Sequence, residues 1–288
     1  MKALKYQSPY IKLSMLFVLT ALPCSITYAA EIDVQKTIIQ AQNNQKQALY
    51  DLAVLKHMGL NGVEINLPEA IELYKRASAL GHRSANQNLG LIYYKGVGVK
   101  VDYVEAAKWF EIGAERNLED SKRMLLIMNK YELIPKNEKK LESLLIEFAN
   151  KGKQEDIEQL ADYYYYTKND LLLAEKPTVL LAEKGLAKYQ HRLGMIYYKG
   201  TDGKPNYEKA YQWLLMAAEA DHVSGKISLA SLYLGGIGVQ QDFEKAVHWF
   251  NEAYAQDPVY TCELLNFAHR ELNNSTSSCT SRKSKIAP

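Results

Sequence analysis

Cysteine is scarce in this sequence. Three occur among 288 residues, Cys24, Cys262 and Cys279. None stands in a CxxC pair or beside a histidine at zinc-ligand spacing, which excludes a zinc finger and a disulfide-dense scaffold. Catalytic signatures are missing too: there is no HExxH, no GxSxG and no SxxK. The loop KGVGVKVD at 95–102 has neither a preceding strand nor the Gly-Lys-Ser/Thr ending that cradles phosphate. The six histidines (His57, His82, His191, His222, His248 and His269) are scattered, and read as helix-surface or packing residues. Nothing calls for a metal or a cofactor. Acidic residues are absent from the first thirty positions, which hold Lys2, Lys5 and Lys12. Beyond them 32 basic residues face 33 acidic ones, so the formal charge of +2 belongs to the first segment. A nucleic-acid footprint is thereby excluded. With 47% hydrophobic and 24% charged residues the composition is globular, and no apolar run after residue 30 reaches the eighteen needed to span a bilayer.

The first segment reads as an address. Three lysines precede the ten-residue apolar run Leu13–Leu22, which is too short for a membrane span. Thr27 and Ala29 put small side chains at −3 and −1 of a cut after Ala29, the layout of a cleaved secretory signal peptide. Cys24 leaves a lipoprotein alternative open, although Pro23 before it suits that signal poorly. Cleavage predicts a periplasmic or secreted protein that keeps only Cys262 and Cys279. In an oxidising compartment these two either bridge or stay as separate thiols.

What the sequence does contain is repetition. Residues 89–114, 193–218 and 229–254 align without gaps. From the anchors Leu89, Leu193 and Leu229, tyrosine recurs at +4 (Tyr93, Tyr197, Tyr233) and glycine at +7 (Gly96, Gly200, Gly236). Alanine recurs at +17 (Ala106, Ala210, Ala246) and tryptophan at +20 (Trp109, Trp213, Trp249). Ala53, Leu125 and Leu160 extend the anchors into weaker copies, giving about six units. Apolar residues at i, i+3 and i+4 around each anchor predict a helix. The glycine turn ends it, and Asp102 and Asp242 stand where a side-chain oxygen caps the next one. Each unit is therefore a helix pair that buries its apolar face only by stacking on neighbours. The fold predicted is an all-α superhelix over 30–258. A polar helix over 31–52 runs into the first unit, a capping helix covers 259–272, and a tail without apolar periodicity spans 273–288.

The pattern LGxxYxxGxGVxxD…KAxxWFxxAA resembles the Sel1-like repeats, relatives of tetratricopeptide repeats. The resemblance is clearest at 85–120 and 187–257 and extends in degenerate form over about 40–258. It implies an α-solenoid serving as a protein-binding scaffold. Secreted bacterial members include adaptors, assembly factors, host-interaction proteins and immunity proteins for secreted toxins. Cysteine-rich members linked to penicillin binding carry a cysteine pair per repeat, which this chain lacks.

The resemblance also places a groove along the first helix of each pair, at positions −5, −2, +2, +5 and +6 from the anchor. The second unit supplies Ser84, Gln87, Leu91, Tyr94 and Lys95, and the third Asp120, Arg123, Ile127, Lys130 and Tyr131. The fourth supplies Glu155, Glu158, Asp162, Tyr165 and Tyr166, and the fifth Lys188, His191, Met195, Tyr198 and Lys199. Tyrosine and arginine are the types enriched at protein-binding hot spots. The alternative is that these tyrosines only pad neighbouring helices. The function expected is a non-catalytic scaffold that binds a protein partner through this groove. Narrower readings are an immunity protein against an envelope-acting toxin such as a lipase and, less favoured, an enzyme acting on cell wall or β-lactam.

Overall fold

The computed structural model describes residues 32–272. The N-terminal address with Cys24 and the tail with Cys279 lie outside the described residues. Among those described, the chain forms fourteen α-helices and one π-helical turn, with no strand. It divides into two compact units at Leu141/Glu142, within the first turn of a helix of the degenerate third repeat.

Unit 1 contains α1 (Val34–Gln42), α2 (Lys46–Met58), α3 (Leu67–Ala79), α4 (Arg83–Lys95), α5 (Tyr103–Glu115), α6 (Glu119–Lys130) and the start of α7 (Glu138–Ala149). Unit 2 contains the rest of α7, then α8 (Gln154–Asp162), which continues as the π-helix Tyr163–Lys168, and α9 (Leu171–Ala182). It goes on through α10 (Ala187–Lys199), α11 (Tyr207–Glu219), α12 (Val223–Gly235), α13 (Phe243–Tyr254) and α14 (Pro258–Glu271). From α1 to α6 in the first unit, and from α8 to α14 in the second, each helix packs on the next. First helices of successive pairs also touch, α4 against α6 and α10 against α12. This is the serial hairpin stacking of an all-α solenoid.

The repeat residues explain the hairpins. Anchors Ala53, Leu89, Leu193 and Leu229 are wholly buried, as are the +17 alanines Ala70, Ala106, Ala210 and Ala246. In four of the six units the first helix stops at glycine; Gly96, for example, sits at φ +73°, where its N–H reaches the Ile92 carbonyl, a left-handed conformation that costs an L-residue more than glycine. The second helix starts on a side-chain cap. Asn66, Asp102, Asn137, Asp170, Asn206 and Asp242 each accept the backbone N–H three residues on. The acid pairs Glu119-Asp120 and Glu155-Asp156 occupy first turns, where the helix dipole favours them.

One expectation needs correction. The polar N-terminal segment is not one helix running into the first unit. Asn44 takes φ +56° and separates α1 from α2, the first helix of that unit's own pair. The tryptophans lean against core clusters while only half-buried. Trp109 of α5, for example, rests on the cluster formed by α1–α4. The deep filling comes from the next residue, Phe110, Leu214 or Phe250, each essentially unexposed.

Candidate protein-binding face

In unit 1 the expected groove residues lie on α4 and along α6 to its C-cap Tyr131, and several are tied into the hairpins. Gln87 accepts a hydrogen bond from the Ser121 hydroxyl at 2.6 Å, stitching α4 to α6. Tyr94 tilts against Tyr103 at 5.5 Å, and its hydroxyl is pushed up by burial and by nearby Tyr103 and Tyr131. Arg123 pairs with Glu119 one turn back at 3.2 Å. Leu91 is half-buried, Lys95 is exposed, and Tyr131 is exposed with Lys130 Nζ 5.9 Å from its ring centre.

Unit 2 gathers its residues more tightly. The chain leaves α8 as a π-helix, in which four consecutive tyrosines wind five residues to the hydrogen bond, and such turns concentrate at functional sites. Tyr163 and Tyr164 turn inward and are buried, Tyr165 is half-buried, and Tyr166 is 66% exposed. Tyr165 and Tyr166 meet edge to face at 4.9 Å. Between them and Tyr189 lies the guanidinium of Arg192 on α10, with Cζ 4.9, 4.8 and 4.8 Å from the three ring centres. Its Nη1 is 2.6 Å from Asp162 Oδ1, and Lys188 Nζ approaches the other carboxylate oxygen at 3.7 Å. Lys199 Nζ stands 5.9 Å from the Tyr165 ring. Burial works against the charge on Arg192; Asp162 and the Tyr166 hydroxyl more than offset it, so its pKa lies above the ordinary arginine value. Burial, followed by the Asp162 and Glu158 charges, raises the Tyr189 hydroxyl.

The other side of α10 faces α12. His191 Nε2 is 3.1 Å from Ser228 Oγ, whose hydroxyl also points at Met195 Sδ at 3.8 Å. His191 stacks on His222 with centroids 5.2 Å apart. His222 begins α12, and its Nδ1 accepts the Gly225 N–H. Burial, then the neighbouring charges of His222 and Arg192, pushes His191 down to about 4. Met195 and Tyr198 line a cavity of about 210 Å³ with Leu214, Ile227, Ser228, Ser231, Leu232 and Ile237. Tyr198 also rests on Tyr207 at 5.6 Å, the same arrangement as Tyr94 on Tyr103. These tyrosines therefore pad their own hairpins, and Tyr198 also borders the cavity.

Arg192, Tyr189 and His222 are absent from the sequence-derived set. Arg192 falls at −1 from its anchor, one place beyond the −2 position assigned to the groove. The signal available was chemical: Asn88, Met124, Gln159 and Ser228 fill the same place in other units, and only this one carries a cation. Cys262 is buried and disulfide-bonded. Of the two alternatives, bridged or separate thiols, Cys262 takes the first; Cys279 lies outside the described residues. Among the described residues no group of three or more histidines, cysteines and carboxylates could hold a metal ion, and no helix is long and apolar enough to cross a membrane.

Comparison with known proteins fits this repeat structure. The family model described as Sel1 repeat matches four times, at residues 46–82, 83–118, 187–222 and 225–258. Each match begins at or near the first helix of a pair, and the intervening 119–186 holds the degenerate units. The chain is 27% identical over 233 residues to chitin synthase regulatory factor 2 of Schizosaccharomyces pombe, covering 71% of this chain and 42% of that protein. It is 26% identical to regulatory factor 3 of the same organism, covering 74% and 24%. The chain thus spans less than half the length of either relative. Among solved structures, a protective antigen of uropathogenic Escherichia coli with the same repeat fold is similar at 23% identity and TM-score 0.49, over 86% of this chain and 54% of that one. An immunity protein of Pseudomonas aeruginosa is similar at 21% identity and TM-score 0.33, over 74% and 81%. By its four matched repeats and the hairpins they form, the chain belongs to the Sel1-repeat family.

Proposed function

We propose that this Sel1-repeat scaffold is an exported, non-catalytic binding protein. Its first twenty-nine residues direct it to the periplasm or beyond and are removed, and it holds a protein partner on the first-helix faces of its repeats. The observation that carries this reading is the clustering of Tyr165, Tyr166 and Arg192 in unit 2, with the cavity lined by Met195 and Tyr198 on the other side of α10. Large aromatic rings held around an arginine combine two residue types that dominate interface energetics.

Two measurements test it. In the native cell envelope, a variant with Tyr94, Tyr165 and Tyr198 all changed to Ala loses the partners that the unaltered protein retains, while its helical circular dichroism stays intact. Retention of every partner by a folded variant overturns the assignment of the face. N-terminal sequencing of protein recovered outside the cytoplasm starts at Ala30; an intact Met1 there overturns the export reading. A captured partner that is an envelope-acting toxin, with self-intoxication when this gene is deleted, would narrow the scaffold to an immunity protein.

A further inference from the structure

Resting on that reading, we infer the chemistry of the partner group that unit 2 accepts: a carboxylate, taken up by Arg192 beneath the Tyr166 ring. Three observations converge on it. The first is donor balance. Arg192 is only 3% exposed; Asp162 at 2.6 Å and the Tyr166 hydroxyl lie against it, yet neither Nη makes an aligned hydrogen bond, because these approaches are close but poorly directed. The Tyr189 hydroxyl beside it is equally buried and equally without a partner. Buried donors without well-directed acceptors are costly, and the group that best fills a guanidinium fork is a second carboxylate.

The second is charge. Asp162 serves two cations, Arg192 at 2.6 Å and Lys188 at 3.7 Å. Lys199 adds a third at the Tyr165 ring. Against these three cations stand two carboxylates, Asp162 and Glu158, whose charges both reach Tyr189. The cluster therefore keeps an excess of positive charge, which suits an incoming anion.

The third is access. The ring over the guanidinium with most solvent around it, Tyr166, is carried by the π-helix and is 66% exposed, so a rotamer change uncovers Arg192 without moving a helix. The flanking rings of Tyr165 and Tyr189 remain as walls. An acidic side chain and a chain terminus offer the same carboxylate and are separable by experiment.

The test uses the full-length protein and nuclear magnetic resonance of the Arg192 side-chain Nε–H. The probes are N-acetyl-glutamate amide for a side-chain acid, N-acetyl-alanine for a chain terminus, and N-acetyl-glutamine amide as the neutral control. At least one acid shifts the Arg192 resonance saturably and the neutral probe does not. Whichever acid acts at lower concentration identifies the source. Arg192→Lys keeps the charge but loses the fork, and weakens binding of that acid at least tenfold, read in both proteins from the backbone amide resonances of Tyr166 and Tyr189. Asp162→Asn removes the competing carboxylate and strengthens it by a similar factor. Because the unaltered protein is itself titrated, a variant that fails to fold leaves the outcome decided. If neither acid perturbs Arg192, or if the neutral probe acts equally, the carboxylate assignment is overturned. Should that happen while the triple tyrosine variant still loses its partners, the binding face stands and only this assignment fails.

Discussion

Gly90 and Phe110 share one space. A Cβ on Gly90 would lie 2.5 Å from the Phe110 ring, so α4 approaches α5 over a position where no side chain fits. The same contact recurs at Gly194, where a Cβ would come within 2.6 Å of Leu214. Gly90→Ala is expected to destabilise the protein by about 1–3 kcal/mol through overpacking, despite the better helix propensity of alanine. Phe110→Ala, which empties the same site, costs about 3–5 kcal/mol. Denaturant midpoints of the two variants check the pair; an unchanged midpoint for Gly90→Ala means that the helices part without penalty.

The caps of the second helices give a milder series. Asp102 and Asp242 each accept a backbone N–H at 2.9 Å. Replacing either with alanine should cost about 1 kcal/mol, and replacing it with asparagine much less, since the amide oxygen can accept the same bond. Thermal unfolding of the four single variants reads this out. Equal losses for alanine and asparagine would show that charge near the helix dipole, rather than the hydrogen bond, matters here.

These caps also mark how much of the molecule the sequence makes legible. In four of the six units the cap lies thirteen residues after the anchor, and the glycine turn between them has one length, so periodicity alone locates both helices. In the fourth unit the turn is three residues shorter, and Asp170 still caps α9. The π-helix before it could not be read, because YYYY carries no periodicity that distinguishes five residues per bond from four. The candidate binding face was half legible. Offsets from the anchor find residues that face along a first helix, and so reach Asp162, Tyr165, Tyr166 and His191. They cannot find Arg192, because a charged residue is expected to point to water, and here aromatic rings supplied by a neighbouring helix enclose it.

The C-terminal helix supports a covalent prediction. Cys262 on α14 is buried and disulfide-bonded. Removal of the first twenty-nine residues would take Cys24 away, leaving Cys279 as the partner. Mass spectrometry of unreduced peptides from exported protein should then recover Cys262 joined to Cys279. Cys279→Ser should lower stability by about 2–4 kcal/mol. Recovery of both cysteines alkylated without reductant would exclude the bond in the exported form.

The stacked pair His191 and His222 makes stability depend on acidity, with a definite sign. His191 is held down to about 4 by burial, by His222 and by Arg192, whereas in the unfolded chain it titrates at the ordinary histidine value of about 6.5. Its folded pKa is thus the lower one, so between these values the unfolded state binds more protons. Stability is then full above about pH 6.5 and falls as acidity carries the solution down toward 4. His222 acts in the same sense, since burial lowers its pKa as well. Its Nδ1 must stay unprotonated to accept the Gly225 N–H that starts α12. The groups facing the pair are Arg192, whose positive charge opposes protonation, and the neutral Ser228 hydroxyl. Carboxylates elsewhere also titrate toward pH 4, so the informative quantity is a difference between proteins. His191→Gln, which retains a hydrogen-bonding group toward Ser228 but cannot titrate, should flatten the fall in unfolding free energy between pH 6.5 and 4.5 relative to the unaltered chain. Parallel curves for the two proteins would mean that His191 binds its proton in the folded state as readily as in the unfolded one, and the stack would not sense pH.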